Sequence, residues 1–461
     1  MPILAGFMVP HPPMIVPAVG QGSEQQILKT TRAYERVAEE IAALEPELII
    51  VTSPHTVTYA DYFHVSPGEG AKGSFRQFRA PELSFSERYD TELADRLCAL
   101  AEAEGLPAGT LGERDPALDH GTLVPLWFIR RKYAGGKLLR VGLSGLPLTE
   151  HYRLGQLLAR AAEELGRRAV LVASGDLSHK LQSFGPYGFA AEGPEYDRRI
   201  MELCGRAAFG ELFDFDEAFC EKAAECGHRS FVILAGAFDG LRVRAAVLSH
   251  EDVTGVGYGI CTFYPEEADP SRRFLEAYRE KIRRACRERA EKSDPWVRLA
   301  RAAVEAWVLR RERLSVPKGL PEEMLTRRAG TFVSLHRFGR LRGCIGTIAA
   351  ATGSVAEEIL QNAVSACARD PRFPPVAPEE LRELEISVDV LGDAEPVRSP
   401  EELDVMRYGV IVSRGRRRGL ILPNLEGVDS VADQIRIARQ KGGIGEDEPF
   451  RLERFEVERH F

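Results

Sequence analysis

Residues 170–179 read VLVASGDLSH, an apolar run that breaks at Gly175 and carries Asp176 and His179 into a loop. Two further stretches share this plan: ILAGFMVPHPP leads into His11, and LIIVTSPH ends on His55. Each is a short β-rich run followed by glycine or proline, the pattern of a buried strand running into a rigid loop. Three strands that each deliver a histidine at the C-terminal end place those histidines where open α/β sheets bind ligands. Prolines on both sides of His11 fix its backbone.

Helical periodicity fills the intervals. Ala33, Val37, Ile41 and Leu44 lie three or four apart, as do Leu93, Leu97 and Leu100, and each set marks one helix face. Strands are expected over residues 139–143, 243–248 and 258–264, helices over 152–165 and 221–239, and a buried helix after Leu118-Asp119-His120-Gly121. Residues 59–88 are irregular and long enough for a lid or substrate wall. Strands alternating with helices predict an α/β fold, an N-terminal mixed sheet flanked by helices.

Near Pro265 the character changes. Residues 266–292 are strongly charged and read as a solvated linker helix, dividing a domain over 1–265 from one over 293–461. Asp294-Pro295 is an N-cap followed by a first-turn proline, and Trp296, Leu299, Ala300, Ala303 and Trp307 share a helix face. Strands follow around Phe338-Gly339, and Ile386, Val388 and Val390 alternate as a strand requires. A last hairpin turns at residues 414–418, RGRRR, read as a solvated tip. The second domain is therefore α+β.

Composition narrows the function. With 61 Lys+Arg against 69 Asp+Glu the net charge is −8, and no basic face stands out, which argues against nucleic acid as a partner. No apolar run is long enough to span a bilayer and no signal peptide is evident, so a cytoplasmic protein without a membrane partner is expected. The eight cysteines form no CxxC pair, and each reads as a free thiol. Eight of ten histidines precede residue 251, which directs the search for metal or acid–base chemistry to the first domain.

Two histidines and a carboxylate on one face hold Fe(II) in oxygen-activating enzymes, leaving positions for substrate and O2. His11 and His55 are the candidate histidines, and Glu225 is the candidate carboxylate. His179, left unligated, fits a base for a phenolic substrate, and Asp176 is placed to orient it. Simpler readings exist for each: a satisfied structural histidine, an N-cap aspartate, a first-turn glutamate, a small core cysteine at Cys226. His64, His151, His228 and His250 are read as structural.

The ordered motifs VPHPP, SPH, DHG, SGDLSH and ECGHRS resemble the class III extradiol dioxygenases of the LigB type, more closely their Memo-like branch, over residues 1–265. The resemblance implies an Fe(II)-dependent enzyme, copper or another divalent metal being the alternative, acting on a catechol-like small aromatic molecule with O2. It implies His11 and His55 as ligands, His179 as acid–base and His120 as a histidine facing substrate or oxygen. Memo-like proteins carry a cysteine where this chain reads ECG, so Glu225 and Cys226 compete as third ligand, with Glu225 expected for a dioxygenase. A Memo-like metal-binding or redox adaptor without ring cleavage is the alternative function.

In the second half, Leu341-Arg-Gly-Cys-Ile-Gly346 resembles the signature of the AMMECR family, as does the Asp370-Pro-Arg-Phe-Pro-Pro stretch. Two glycines around Cys344 permit close backbone approach, and Arg342 is placed to lower the thiol's pKa; a strand with a buried small cysteine is the competing reading. The fusion resembles the AmmeMemoRadiSam arrangement, which also uses a radical S-adenosylmethionine protein. This chain has no CxxxCxxC motif, so such a partner would be a separate polypeptide.

Overall fold

A computed structural model describes residues 2–113, 115–425 and 427–461. The chain forms two compact units, one running to Tyr278 and one from Arg279. The division falls inside the helix Phe274–Lys292, thirteen residues beyond the change in composition at Pro265.

The first unit is built on a six-stranded sheet in the order Lys137–Gly142, Leu48–Ser53, Ala169–Ser174, Ile3–Val9, Tyr258–Ala268, Leu241–Glu251. The first four strands are parallel, and the last two join antiparallel at one edge. Side chains along each parallel strand alternate between two cores. Leu48, Ile50, Ala169, Leu171 and Ala173 enter one; Ile49, Val51, Val170, Val172, Phe7 and Val9 enter the other. Because both faces are buried, these strands are continuously apolar rather than alternating. Helix Leu28–Leu44 covers the second face with His120–Arg130, Tyr34 stacking on Phe128 at 4.1 Å. Leu148–Glu164 and His228–Ala237 cover the first, so close that a Cβ on Gly155 would lie 2.0 Å from the Ile233 carbonyl oxygen.

Two sequence expectations need correction. Residues 59–88 are not irregular throughout: they hold the strand Phe63–His64 and a hairpin of Gly70–Phe75 with Ala80–Arg88. Residues 221–239 are not one helix. A helix over Glu217–Ala223 ends where Ala224 adopts the left-handed conformation (φ 53°), and a new helix begins at His228. Glu225 and Cys226 therefore sit in a turn instead of on a helical face.

The second unit has two four-stranded sheets. Arg340–Gly346, Thr331–Arg337, Leu384–Leu391 and Val457–His460 form one, with Phe338 and Gly339 making the expected tight turn at φ 53° and 75°. The helices Pro295–Arg310 and Val355–Ala368 share its core, and Asp294 caps the former by accepting from the amides of Trp296 and Val297. The second sheet contains the hairpin Gly409–Arg414 with Arg417–Ile421. Three of its arginines pair with carboxylates: Arg414 and Arg417 with Glu448, and Arg418 with Glu453. Among the described residues no helix is long and apolar enough to cross a membrane.

Candidate metal and acid–base site

Parallel register brings the three motifs level. Val9 lies beside Ser174, and Thr52 beside Ala173. His11, Asp176 and His55 each follow a strand's last residue by two positions. The strand ends thus form one rim, and its floor is fixed by hydrogen bonds.

His11 is buried. Its amide donates to Asp176 Oδ1 at 2.7 Å, and its Nδ1 lies 2.9 Å from Ser174 Oγ. The Ser174 hydroxyl spends its single proton on the Gly121 carbonyl at 2.6 Å, so it accepts from His11 Nδ1–H. This leaves a lone pair on His11 Nε2. That atom lies 3.0 Å from His55 Nε2 and 3.6 Å from Cys226 Sγ. Donor atoms this close can share one ion with bonds of about 2.0–2.3 Å. His11, His55 and Cys226 thus form a donor group able to hold a metal ion.

Burial and the neighbouring His55 hold His11 neutral, its pKa lowered to about 3. His120, packed on His55 with ring centroids 4.0 Å apart, is lowered to about 4 for the same reasons, burial leading. Neutral imidazoles are the ligand form. Burial, reinforced by Asp176 and Glu225, pushes the Cys226 thiol well up, so the sulfur is a neutral thiol unless a cation draws off its proton.

The turn carrying Cys226 is locked against the Asp176 loop. Asp176 N donates to Cys226 Sγ at 3.2 Å, and Cys226 N donates to the Asp176 carbonyl at 3.4 Å. Beneath them a Cβ on Gly175 would stand 2.1 Å from Gly227 Cα; only glycine permits that approach.

Glu225 faces elsewhere. Its Oε2 accepts from the His228 amide at 2.6 Å, satisfying the start of the following helix. The carboxylate expected as third ligand is thus an end-cap, and Cys226 occupies the position beside the two histidines. Asp176 also differs from expectation: its Oδ1 holds the His11 amide, whereas His179 Nδ1 hydrogen-bonds the Ala224 carbonyl. Asp176, His179 and Cys226 nevertheless form a second close donor group. Of the histidines read as structural, His228 is bonded through Nε2 to the Leu212 carbonyl, His250 to Asp197, and His64 and His151 to backbone carbonyls.

Two aromatic walls carried no motif in the sequence. Tyr187 meets the His179 ring edge-on at 5.1 Å, and Phe78, between the strands of the hairpin, meets His120 at 5.5 Å. Tyr187, Phe184 and Phe189 are all exposed.

In the second unit the LRGCIG strand is explained largely by packing. A Cβ on Gly343 would lie 2.3 Å from the Ala366 carbonyl oxygen, and one on Gly346 2.3 Å from the Phe332 ring. The Cys344 amide donates to Asp370 Oδ2 at 2.8 Å, and its carbonyl accepts from Arg372 at 3.1 Å. Arg342 does not activate the thiol: it grips Glu380 (2.8 Å) and the Pro374 carbonyl (2.9 Å). Burial pushes the Cys344 pKa up.

The model of a family described as the catalytic LigB subunit of aromatic ring-opening dioxygenase matches residues 5–261, and the AMMECR1 family model matches residues 297–460. A protein of Clostridium acetobutylicum is 39% identical over 98% of both chains. A protein of Thermotoga maritima is 48% identical over 36% of this chain and 97% of its own. The beta subunit of 2-aminophenol 1,6-dioxygenase from a Pseudomonas species is 28% identical over 56% of this chain and 92% of its own. The chain belongs to the family of the catalytic LigB subunit of aromatic ring-opening dioxygenases, with an AMMECR1 domain following its LigB region.

Proposed function

We propose that the first unit is an extradiol-dioxygenase-like oxidoreductase that holds Fe(II) through His11, His55 and Cys226 and acts with O2 on a catechol-like or related small aromatic substrate. The observation that carries the reading is the convergence of His11 Nε2, His55 Nε2 and Cys226 Sγ at the C-terminal edge of the sheet. A bound ferrous ion supplies a Lewis-acidic, redox-active centre with positions left for substrate and O2.

The chain's own groups supply the rest. His179 donates Nδ1–H to the Ala224 carbonyl, which leaves Nε2 as the ring nitrogen available to take a phenolic proton. His120, neutral and held between His55 and Phe78, offers a hydrogen bond to substrate or oxygen. Asp176 holds the His11 loop and brackets Cys226 through its own backbone.

The thiol in place of a carboxylate supports a second reading. A soft sulfur donor also suits copper, and a site of this kind fits a metal-binding or redox adaptor that does not cleave rings and works with a separate radical S-adenosylmethionine protein. Oxygen uptake by anaerobically reconstituted protein with a catechol panel separates the two. The dioxygenase reading expects uptake that is lost in His179→Ala with Fe(II) binding retained. Cys226-dependent metal binding without uptake on any catechol would leave the adaptor.

A further inference from the structure

We infer that Asp119 is a positioning residue that locks the His55 loop and the His120 helix into one rigid piece, through Ser53 on one side and the helix start on the other. This rests on the metal reading above for its purpose, but not for its geometry. Asp119 Oδ1 accepts from Ser53 Oγ at 2.5 Å, and Ser53 Oγ in turn accepts from the His55 amide at 3.2 Å. The same carboxylate caps the helix His120–Arg130, taking the Thr122 amide at 3.1 Å and the Thr122 hydroxyl at 3.0 Å. Behind it stands Arg140, almost wholly buried, 3.7 Å from Asp119 Oδ2 and bonded to Ser66 Oγ and the Ala117 carbonyl.

A buried guanidinium is costly unless paired. Here its direct partner is Glu113 at 2.8 Å, and Asp119, 3.7 Å away, takes its field on towards Ser53 and His55. Gly121 closes the joint: a Cβ there would lie 2.3 Å from Ser53 Oγ, 3.0 Å from Asp119 Oδ1 and 3.4 Å from the His55 ring. The DHG and SPH motifs, 66 residues apart, are therefore two halves of one interlock. Hydrogen-bonded supports behind ligands commonly change metal affinity about tenfold or more when lost.

The test uses the full chain and Co(II), whose thiolate charge-transfer and ligand-field bands report coordination. Ser53→Ala cuts the link to His55 while leaving the helix cap, so its folding should persist. It is expected to bind Co(II) about tenfold more weakly than wild type with an altered spectrum. Asp119→Ala should lose more, and Asp119→Asn, which keeps an acceptor for Ser53 and Thr122, should recover most of it. Acylation by diethyl pyrocarbonate, mapped by mass spectrometry, reads the interlock without a metal. His120, half-buried at the start of its helix, should react several-fold faster in Asp119→Ala, with His250 unchanged as the internal standard. Wild-type Co(II) affinity and spectrum in Ser53→Ala and Asp119→Ala would overturn the inference. If the wild type binds no Co(II), the metal reading fails, and unchanged acylation at His120 then overturns the interlock by itself.

Discussion

Gly175→Ala probes the joint on which the site depends. The added Cβ would lie 2.1 Å from Gly227 Cα, 3.0 Å from Gly227 N and 3.2 Å from its carbonyl carbon, all backbone atoms. Ordinary carbon–carbon contact begins near about 3.5 Å, so the turn must retreat by over about 1 Å, with no side-chain rotation to absorb the clash. The turn cannot move freely, because Gly227 is itself pressed by Phe231, whose Cζ would stand 2.4 Å from a Cβ there. Overpacking of this kind costs about 1–3 kcal/mol, which lowers the melting temperature of a domain this size by about 2–12 °C. Cys226 moves with the turn and leaves His11, so metal affinity should fall about 10–100-fold. Thermal unfolding of the metal-free protein and Co(II) titration measure the two effects. A variant with wild-type melting temperature and wild-type affinity would refute the claim that this glycine pair sets the position of Cys226.

Other consequences are open to measurement. The Arg372 guanidinium and the Cys344 amide hold Asp370 down to about 2; since its folded pKa lies below the ordinary value, the stabilisation is present above about pH 4 and is lost as pH falls through 2. Asp370→Asn should therefore cost about 2 kcal/mol at pH 7 by denaturant titration, a penalty that shrinks between pH 4 and 2, whereas a pH-independent cost would exclude the charge as its origin. Arg140→Met leaves Glu113 (2.8 Å) and Asp119 (3.7 Å) without their counter-charge and should destabilise the fold by about 3–5 kcal/mol; a loss below about 1 kcal/mol would contradict a paired role for the buried guanidinium. Ala224→Gly relieves a left-handed backbone and should raise the unfolding free energy by about 1 kcal/mol. A decrease would mean that the turn is held by something other than its hydrogen bonds.

Much of the fold was legible because burial on both sheet faces leaves continuous apolar runs, and because glycine and proline mark their ends. His11, His55 and His179 could be read from their places after such runs. The choice between Glu225 and Cys226 could not. It turns on Ala224, a non-glycine residue in the left-handed region that interrupts an otherwise unbroken helical pattern, and alanine gives no local warning of that. A glutamate three residues ahead of His228, whose amide it accepts, was a capping signal hidden by the single-helix reading. Ser174 lay within the quoted motif, yet its role depends on the Gly121 carbonyl, 53 residues away. Arg342 follows the same logic: its neighbour in sequence is Gly343, but its partner in space is Glu380. The aromatic flank at Tyr187 comes from a loop whose sequence carries no periodicity.

Ligation by Cys226 is tested most directly by X-ray absorption at the metal edge of the anaerobically loaded Fe(II) protein, compared with Cys226→Ser and Glu225→Gln. One sulfur scatterer at about 2.3 Å is expected in the wild type and in Glu225→Gln, absent from Cys226→Ser. A first shell of nitrogen and oxygen alone in the wild type, altered by Glu225→Gln and indifferent to Cys226→Ser, would rule out the thiolate as a ligand.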